Sequence, residues 1–243
     1  GGSWESVGTM TFNGGNLRCE VRAFNSSSDG GAGIGAGNGG LGTDTTLTFN
    51  SGVVDAIGAE HAAGIGGGAS KQGYAGNTTL IPDWIISPDP LVCGNITING
   101  GYLKSKGGGH GAAFGMGCST SARGCTIKVT GGTLLPTSVW GWPDLGGDGG
   151  NVVISGGSVR VSGKNKFVSA SGSAYGSEDY TTTNEVFMVA VDLSGEKVNG
   201  QPLASEAIVG WQLTVGGVPR GYGAPTQLDE GKLYLWLPRS DIG

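Results

Sequence analysis

Five short segments of the chain repeat one pattern of alternating apolar and polar residues that ends in glycine. They are MTFNGG (10–15), LTFNSG (47–52), ITINGG (96–101), IKVTGG (127–132) and VVISGG (152–157). Alternation at period two places the apolar residues on one face of a strand and the polar residues on the other. Because the same columns recur five times, the pattern predicts a repeating all-β structure.

Each repeat continues in the same way beyond its first strand. The closing glycine fits a corner with positive φ, a conformation that other residues adopt only at a cost. These glycines are Gly15, Gly52, Gly101, Gly132 and Gly157. An aliphatic residue follows two positions later and begins a second strand, at Leu17, Val54, Leu103, Leu134 and Val159.

A third element places one large apolar residue among glycines and alanines. It reads GAGIGAG (31–37), HAAGIGGG (61–68), GAAFGMG (111–117) and, in a degraded form, PDLGG (143–147). Three strands joined by corners make one triangular coil, and stacked coils bury their inward columns against each other. We therefore predict a right-handed parallel β-helix of about five coils with three short strands per coil.

The character of the chain changes near residue 180, where glycine thins. Three strands are predicted there, within EVFMVAVDL (185–193), IVGWQLTV (208–215) and KLYLWLP (232–238). We assign residues 1–178 to the β-helix, with a long inserted loop at about 71–94. Residues 179–243 are predicted to form a small β-rich cap or appendage that covers strand edges at the open end.

Composition excludes several classes of protein. Glycine makes up 52 of 243 residues without a collagen register, and a charged fraction of 14% is low for a disordered chain. The net charge of −5 gives no basic footprint for nucleic acid, and no apolar run reaches the roughly 20 residues of a membrane span. No signal peptide opens the chain, so we interpret it as a mature or excised piece of a larger secreted or surface-attached bacterial protein.

The four cysteines leave two interpretations open. Cys118 and Cys125 bracket a short polar loop and would close it in an oxidising compartment. Alternatively all four are small buried residues, which we favour for Cys19. No CxxC pair is present, so a cysteine-based zinc site is not expected.

On the motifs GAGIGAGNGG, HAAGIGGG and ITINGG, the chain resembles the glycine-rich β-helical repeat regions of large surface proteins from gut and oral bacteria. The resemblance covers about Thr9 to Gly172. Those regions are often labelled carbohydrate-binding or adhesin-like, so the resemblance implies a glycan partner. It supplies no catalytic residue.

The columns of the third element bring candidate chemistry together. Five residues before its apolar residue lie Asp29 and Glu60, and four before it lie His61 and His110, the only histidines. Equivalent positions on adjacent coils are about 4.8 Å apart, so each pair is predicted to be adjacent. Carboxylates about 5 Å apart suit a retaining glycosidase. Solvated acids and hydrogen-bonded corner histidines are the alternatives, and a metal held by the histidines with an acid is a further one.

One coil further on, the chain offers indole rings and oxygen ligands. Trp140 and Trp142 face the same way in an extended segment, either as a platform for sugar rings or as loop anchors. Asp144 is grouped with them as a ligand-binding candidate. Asp144, Asp148 and Asn151 carry oxygens of the kind that calcium prefers, but such loops are common without metal, and we predict no cofactor.

Three functions remain open. The first is an extracellular glycan-binding or adhesin module, monomeric within a larger chain, that binds a polysaccharide or glycoconjugate through His61, His110, Trp140, Trp142 and Asp144. The second is a glycoside hydrolase that uses Asp29 and Glu60. A polysaccharide lyase is disfavoured because the ridge columns hold no Arg or Lys. The third is a structural stalk.

Overall fold

A computed structural model describes most of the repeat region and much of the C-terminal part. The residues described are 8–21, 30–37, 45–69, 91–92, 94–117, 122–123, 125–139, 144–146, 151–159, 167–168, 174–175, 186–204, 211–223, 228 and 230–238. They form three parallel sheets of four or five strands, one two-stranded parallel pair and four antiparallel pairs. The predicted parallel β-helix with small C-terminal β elements is confirmed.

The strands follow the predicted coils. Coil one holds β1 (Thr9–Phe12), β2 (Asn16–Glu20) and β3 (Ile34–Gly35); coil two holds β4 (Thr46–Phe49), β5 (Val53–Ile57) and β6 (Ile65–Gly66). After β7 (Leu91–Val92), coil three holds β8 (Asn95–Ile98), β9 (Tyr102–Lys106) and β10 (Phe114–Gly115). After β11 (Ala122–Arg123), coil four holds β12 (Thr126–Val129), β13 (Thr133–Thr137) and β14 (Leu145–Gly146). Coil five contributes β15 (Asn151–Ile154) and β16 (Ser158–Val159).

Like strands of successive coils pair in parallel. Sheet 1 runs β1-β4-β8-β12-β15, sheet 2 runs β2-β5-β9-β13-β16, and sheet 3 runs β3-β6-β10-β14. The register matches the sequence columns residue for residue. In sheet 1 the column is Met10, Leu47, Ile96, Ile127 and Val152. In sheet 2 it is Leu17, Val54, Leu103, Leu134 and Val159. In sheet 3 it is Ile34, Ile65, Phe114 and Leu145.

The described inward side chains of these columns belong to one continuous core. Phe49, Val54, Ile65, Phe114 and Leu145 are fully buried within it. Met10, Phe12 and Leu17 of coil one are only partly buried, while they pack against the same cluster. The core side chains are therefore more completely buried in coils two to five than in coil one. Each of these coils has a coil on both sides or, in coil five, a C-terminal strand that covers it.

The corner between sheets 1 and 2, which we call the glycine corner, has the predicted backbone. Its closing glycines all have positive φ, with values of 84°, 93°, 93°, 84° and 95° from coil one to coil five. Polar side chains stack beside them: the amide of Asn50 donates to Asn13 at 2.7 Å, and that of Asn99 donates to Asn50 at 2.9 Å. Thr130 continues the ladder by donating to the Asn99 side chain at 2.9 Å.

Glycine in sheet 3 serves close approach between coils. Gly35, Gly66 and Gly115 have φ values of 137°, 133° and 144°. A Cβ on any of them would overlap the carbonyl of the equivalent glycine in the next coil. The element therefore tolerates only glycine at this position, which explains why glycine follows the large apolar residue in each of these coils.

The C-terminal part contains short antiparallel strands. They are β17 (Phe167–Val168), β18 (Ala174–Tyr175), β19 (Val186–Asp192), β20 (Lys197–Val198), β21 (Gln201–Pro202), β22 (Trp211–Val215), β23 (Val218–Gly223) and β24 (Lys232–Pro238). The pairs are β17-β18, β19-β24, β20-β21 and β22-β23. Strands form within all three predicted segments.

Strand β24 covers the last coil. Its Trp236 is 2% exposed and belongs to the β-helix core, and the Trp236 N–H donates to the Gly157 carbonyl at 3.1 Å. On the opposite face, Leu233 and Leu235 are buried in a second apolar cluster. This strand acts as the predicted cover, while the division at residue 178/179 stays a prediction.

Several predictions fall mainly outside the described residues. Of the inserted loop at about 71–94, the structure describes Leu91–Val92, which pairs with Ala122–Arg123, and Gly94.

Among the described residues, no helix has the length and apolar character needed to cross a bilayer.

The cysteines divide between the two interpretations. Cys125 is disulfide-bonded and buried in the core, and its bonding partner lies outside the described residues. Cys19 is a free thiol that packs against the core of coil one, where partial burial raises its pKa. The pairing of Cys125 with Cys118 stays a prediction.

Candidate functional site: the histidine corners

The corner between sheets 2 and 3 has one length in three successive coils. It spans residues 58–64 in coil two, 107–113 in coil three and 138–144 in coil four, which is seven residues each, between strands that are in register. We call the first two the histidine corners because they contain His61 and His110. In coil one the same connection, 21–33, is thirteen residues long.

Each histidine corner is built around a tight turn. The N–H of Ala62 donates to the Ala59 carbonyl at 3.0 Å, and the N–H of Gly111 donates to the Gly108 carbonyl at 3.3 Å. Each histidine is the third residue of its four-residue turn. The two turns are also bonded to each other, because the His110 N–H donates to the Glu60 carbonyl at 3.1 Å.

Stacked turns bring the two imidazoles together, as the column offset predicted. The ring centroids of His61 and His110 are 5.1 Å apart, and the rings are tilted by 38°. His61 is 9% exposed, whereas His110 is half-buried. A ligand at this corner would therefore have more access to His110 than to His61.

Small residues allow this stacking. A Cβ on Gly108 would overlap the carbonyl of Ala59, and one on Gly111 would overlap the carbonyl of Ala62. The GGGHG sequence of coil three thus lets its turn lie directly against the turn of coil two. A larger residue at either glycine would push His110 away from His61.

The predicted neighbour relation between Asp29 and Glu60 rests on an offset that coil one does not keep. Gly30 lies against Ala59, and the Ala59 N–H donates to the Gly31 carbonyl at 3.2 Å, so Gly30 is opposite Ala59 and not opposite His61. Three residues separate Gly30 from Ile34, whereas five separate Ala59 from Ile65, so the count back from the apolar residue shifts by two. Glu60 is half-buried. Asp29 lies outside the described residues, so the carboxylate pair stays a prediction.

Asp144 takes a different position from the histidines. It is one residue before Leu145, in line with Ala113 of coil three, and it is 6% exposed. The Ser138 hydroxyl donates to its carboxylate at 2.7 Å, and its own carbonyl accepts from the Phe114 N–H at 2.9 Å. Asp144 thus joins the two ends of the coil-four corner and bonds to β10 of coil three. Trp140 and Trp142 lie outside the described residues.

The metal alternatives find no further support in the described part of the chain. Within it, no three or more His, Cys, Asp or Glu side chains are grouped so that they could hold a metal ion. Asp29, a possible added ligand beside the histidines, and Asp148, one of the calcium candidates, lie outside that part.

Sequence reasoning missed a row of outward side chains on β9. Tyr102, Lys104 and Lys106 alternate with the buried Leu103 and Ser105, and both lysines are exposed. The signal was present in YLKSKGGGH, where the lysines alternate with Leu103 and lead directly into the His110 corner. These positions belong to β9, the second strand of coil three, so columns aligned on the third element do not include them.

Comparison with protein-family models, with curated proteins and with solved structures finds no match for the chain. Function must therefore be argued from the residues themselves.

Proposed function

We propose that this chain is an extracellular glycan-binding or adhesin module of a bacterial surface protein, with its binding ridge along the histidine corners. The observation that carries the proposal is the imidazole pair on stacked turns, with ring centroids 5.1 Å apart. Imidazole nitrogens donate and accept hydrogen bonds, which suits the hydroxyl groups of a saccharide. The rigid, closely packed turns hold these groups in place before a ligand arrives.

The equal corner lengths support an extension of the ridge into coil four. Trp140 and Trp142 lie in the connection 138–144, which joins the same two sheets as the histidine corners and has the same length. Indole faces pack against the apolar side of sugar rings. The proposed ridge thus combines His110 as a polar contact with the tryptophans as stacking contacts.

The two histidines have different roles in this proposal. His110 contacts the ligand because it retains exposed surface, while His61 positions it from below. The resemblance to glycine-rich surface repeats and the disulfide at Cys125 both favour an extracellular setting.

A glycan array followed by titration calorimetry tests the proposal. We expect His110→Ala to weaken Kd by about three- to tenfold, the size of one net hydrogen bond, with no loss of thermal stability beyond a few degrees. The matched control is Lys197→Ala, an exposed residue on β20 far along the chain from the corners, which should leave Kd unchanged.

A hydrolysis screen on the same glycans separates the other functions. Release of reducing ends that Glu60→Gln abolishes, while binding persists, would replace the binding module by a glycoside hydrolase. No array hit together with no turnover would leave the structural stalk. An array hit that His110→Ala and the tryptophan variants do not weaken would show that the ridge is misplaced.

A further inference from the structure

The outer face of β9 carries the exposed cations nearest in sequence to the histidine corners. Lys104 and Lys106 are exposed, Tyr102 beside them is half-buried, and all three point outward from sheet 2. Successive outward residues of a strand are about 6.6 Å apart, at about 3.3 Å per residue. Tyr102, Lys104 and Lys106 therefore form a straight row, and only the corner residues 107–109 separate it from His110.

On the outer face of sheet 2, the described carboxylates lie in the first two coils. Asp55 of β5 and Glu20 of β2 both lie near Arg18, whose guanidinium is 3.8 Å from Asp55 and 3.7 Å from Glu20. Arg18 thus partly neutralises the two acids of coils one and two. Coil three contributes the two lysines, and neither forms an ion pair within the described part of the chain.

The neighbours of the two lysines in the sheet differ. Lys104 is in register with Asp55 on one side and Leu135 on the other. Lys106 is in register with Ile57 and Thr137, so no in-register neighbour carries charge. The positive charge of Lys106, at the end of β9 that leads into the histidine corner, therefore has no in-register carboxylate beside it, whereas that of Lys104 has Asp55.

A row of this kind fits an anionic polymer with an apolar face. The ammonium groups attract carboxylate or sulfate, and the half-buried phenol ring of Tyr102 offers a surface for a sugar ring. Nucleic acid is disfavoured, because two lysines neutralise few phosphates and the chain as a whole carries a net charge of −5.

We propose that the outer face of β9 is a subsite that selects acidic polysaccharides, with Lys104 and Lys106 binding carboxylate or sulfate groups and Tyr102 packing on a sugar ring. The inference rests on the proposed glycan-binding function and adds the substrate class to it. The ligand runs along β9 and reaches His110 at the corner.

Matched pairs of polymers test the subsite by calorimetry at two salt concentrations. Polygalacturonate is compared with its methyl-esterified form, and dextran sulfate with dextran, so that carboxylate and sulfate are distinguished. Each protein–glycan charge contact at an exposed site is worth about two- to fivefold in Kd. We expect Lys104→Gln/Lys106→Gln to weaken binding of one acidic polymer by about 4- to 25-fold and to reduce its salt dependence.

The control is Lys128→Gln/Lys197→Gln, which removes the same charge from exposed positions on β12 and β20. An equal loss in that control would overturn the subsite in favour of general charge attraction. Binding of neutral polymers that is unaffected by Lys104→Gln/Lys106→Gln but lost in His110→Ala would overturn the subsite and leave the proposed function standing. No binding of any polysaccharide would overturn both, and equal binding of a single-stranded DNA oligonucleotide would overturn the selection for glycans.

Discussion

At the scale of single residues, the glycine corners separate two effects of a missing Cβ. Gly15 and Gly101 have similar positive φ values of 84° and 93°. A Cβ on Gly15 would meet nothing within 4 Å, whereas one on Gly101 would lie 2.9 Å from the Gly52 carbonyl and 3.2 Å from Leu103. Gly15 therefore reports backbone strain alone, and Gly101 reports strain together with crowding.

We expect Gly15→Ala to lower the free energy of unfolding by about 1–2 kcal/mol, the left-handed penalty of an L-residue. Gly101→Ala should lower it by about 2–4 kcal/mol, because overpacking is added. The control Gly195→Ala has open space and no positive φ, so it should change stability by less than about 0.5 kcal/mol. Urea unfolding measures all three, and equal losses for Gly15→Ala and Gly101→Ala would contradict the crowding argument.

The sequence predicted residue positions well wherever a column repeated. The glycine corners and the contact between His61 and His110 followed from counting along coils of similar corner length. The relation of Asp29 to Glu60 stays a prediction, because Asp29 lies outside the described residues, while the contact of Gly30 with Ala59 shows that the count back from Ile34 shifts in coil one. Lys104 and Lys106 were predictable from alternation but belonged to a column that was not counted.

At the scale of elements, the polar ladder of the glycine corner fixes how adjacent coils align. Asn50 is its central member, since it donates to Asn13 and accepts from Asn99. Amide side chains can make this bond only when equivalent corners are one strand spacing apart. The ladder therefore stabilises the native register relative to one in which adjacent coils are shifted.

We expect Asn50→Ala to lower the free energy of unfolding by about 1–2 kcal/mol, because two hydrogen bonds of about 0.5–1.5 kcal/mol each are lost at a partly solvated site. Asn95→Ala, at an exposed outward position of β8, is the matched control and should cost less than about 0.5 kcal/mol. Thermal unfolding followed by circular dichroism compares them. A cost at Asn50 no greater than at Asn95 would show that the ladder is not stabilising.

Elements with a full alternating period were predictable, and so were the two-residue strands of sheet 3, which recur around one large apolar residue, whereas β7 and β11 were not. Two-residue strands such as β7 and β11 carry no period, so sequence pattern alone cannot distinguish them from loops. They form because the neighbouring coils have already placed their backbones side by side.

At the scale of the whole molecule, the core is covered at the coil-five end by one strand that is buried on both faces. In β24 the alternation of Leu233 and Leu235 with Trp236 supplies an apolar cluster on one side and a plug for the β-helix on the other. The strand was predictable from KLYLWLP. The residue that enters the β-helix core was not, because both faces of the strand read as apolar.

We expect Trp236→Ala to lower the free energy of unfolding by about 3–5 kcal/mol, as for other large-to-small core substitutions. Amide hydrogen exchange should rise first in β15 and β16, the strands of coil five next to the plug. Tyr234→Ala, two residues away and only half-buried, should have a smaller effect. Unchanged exchange in coil five of the Trp236 variant would show that another part of the chain closes this end.

Parallel register fixes the spacing of outward side chains on the surface of the β-helix. Any two outward side chains in one column are separated by a whole number of rungs, each about 4.8 Å, whatever the length of the loops between them. An inserted coil between coils two and three would move His110 one rung further from His61 without altering either residue. On such a scaffold, a change in the number of coils alters the distance between two outward side chains of one column only by whole rungs.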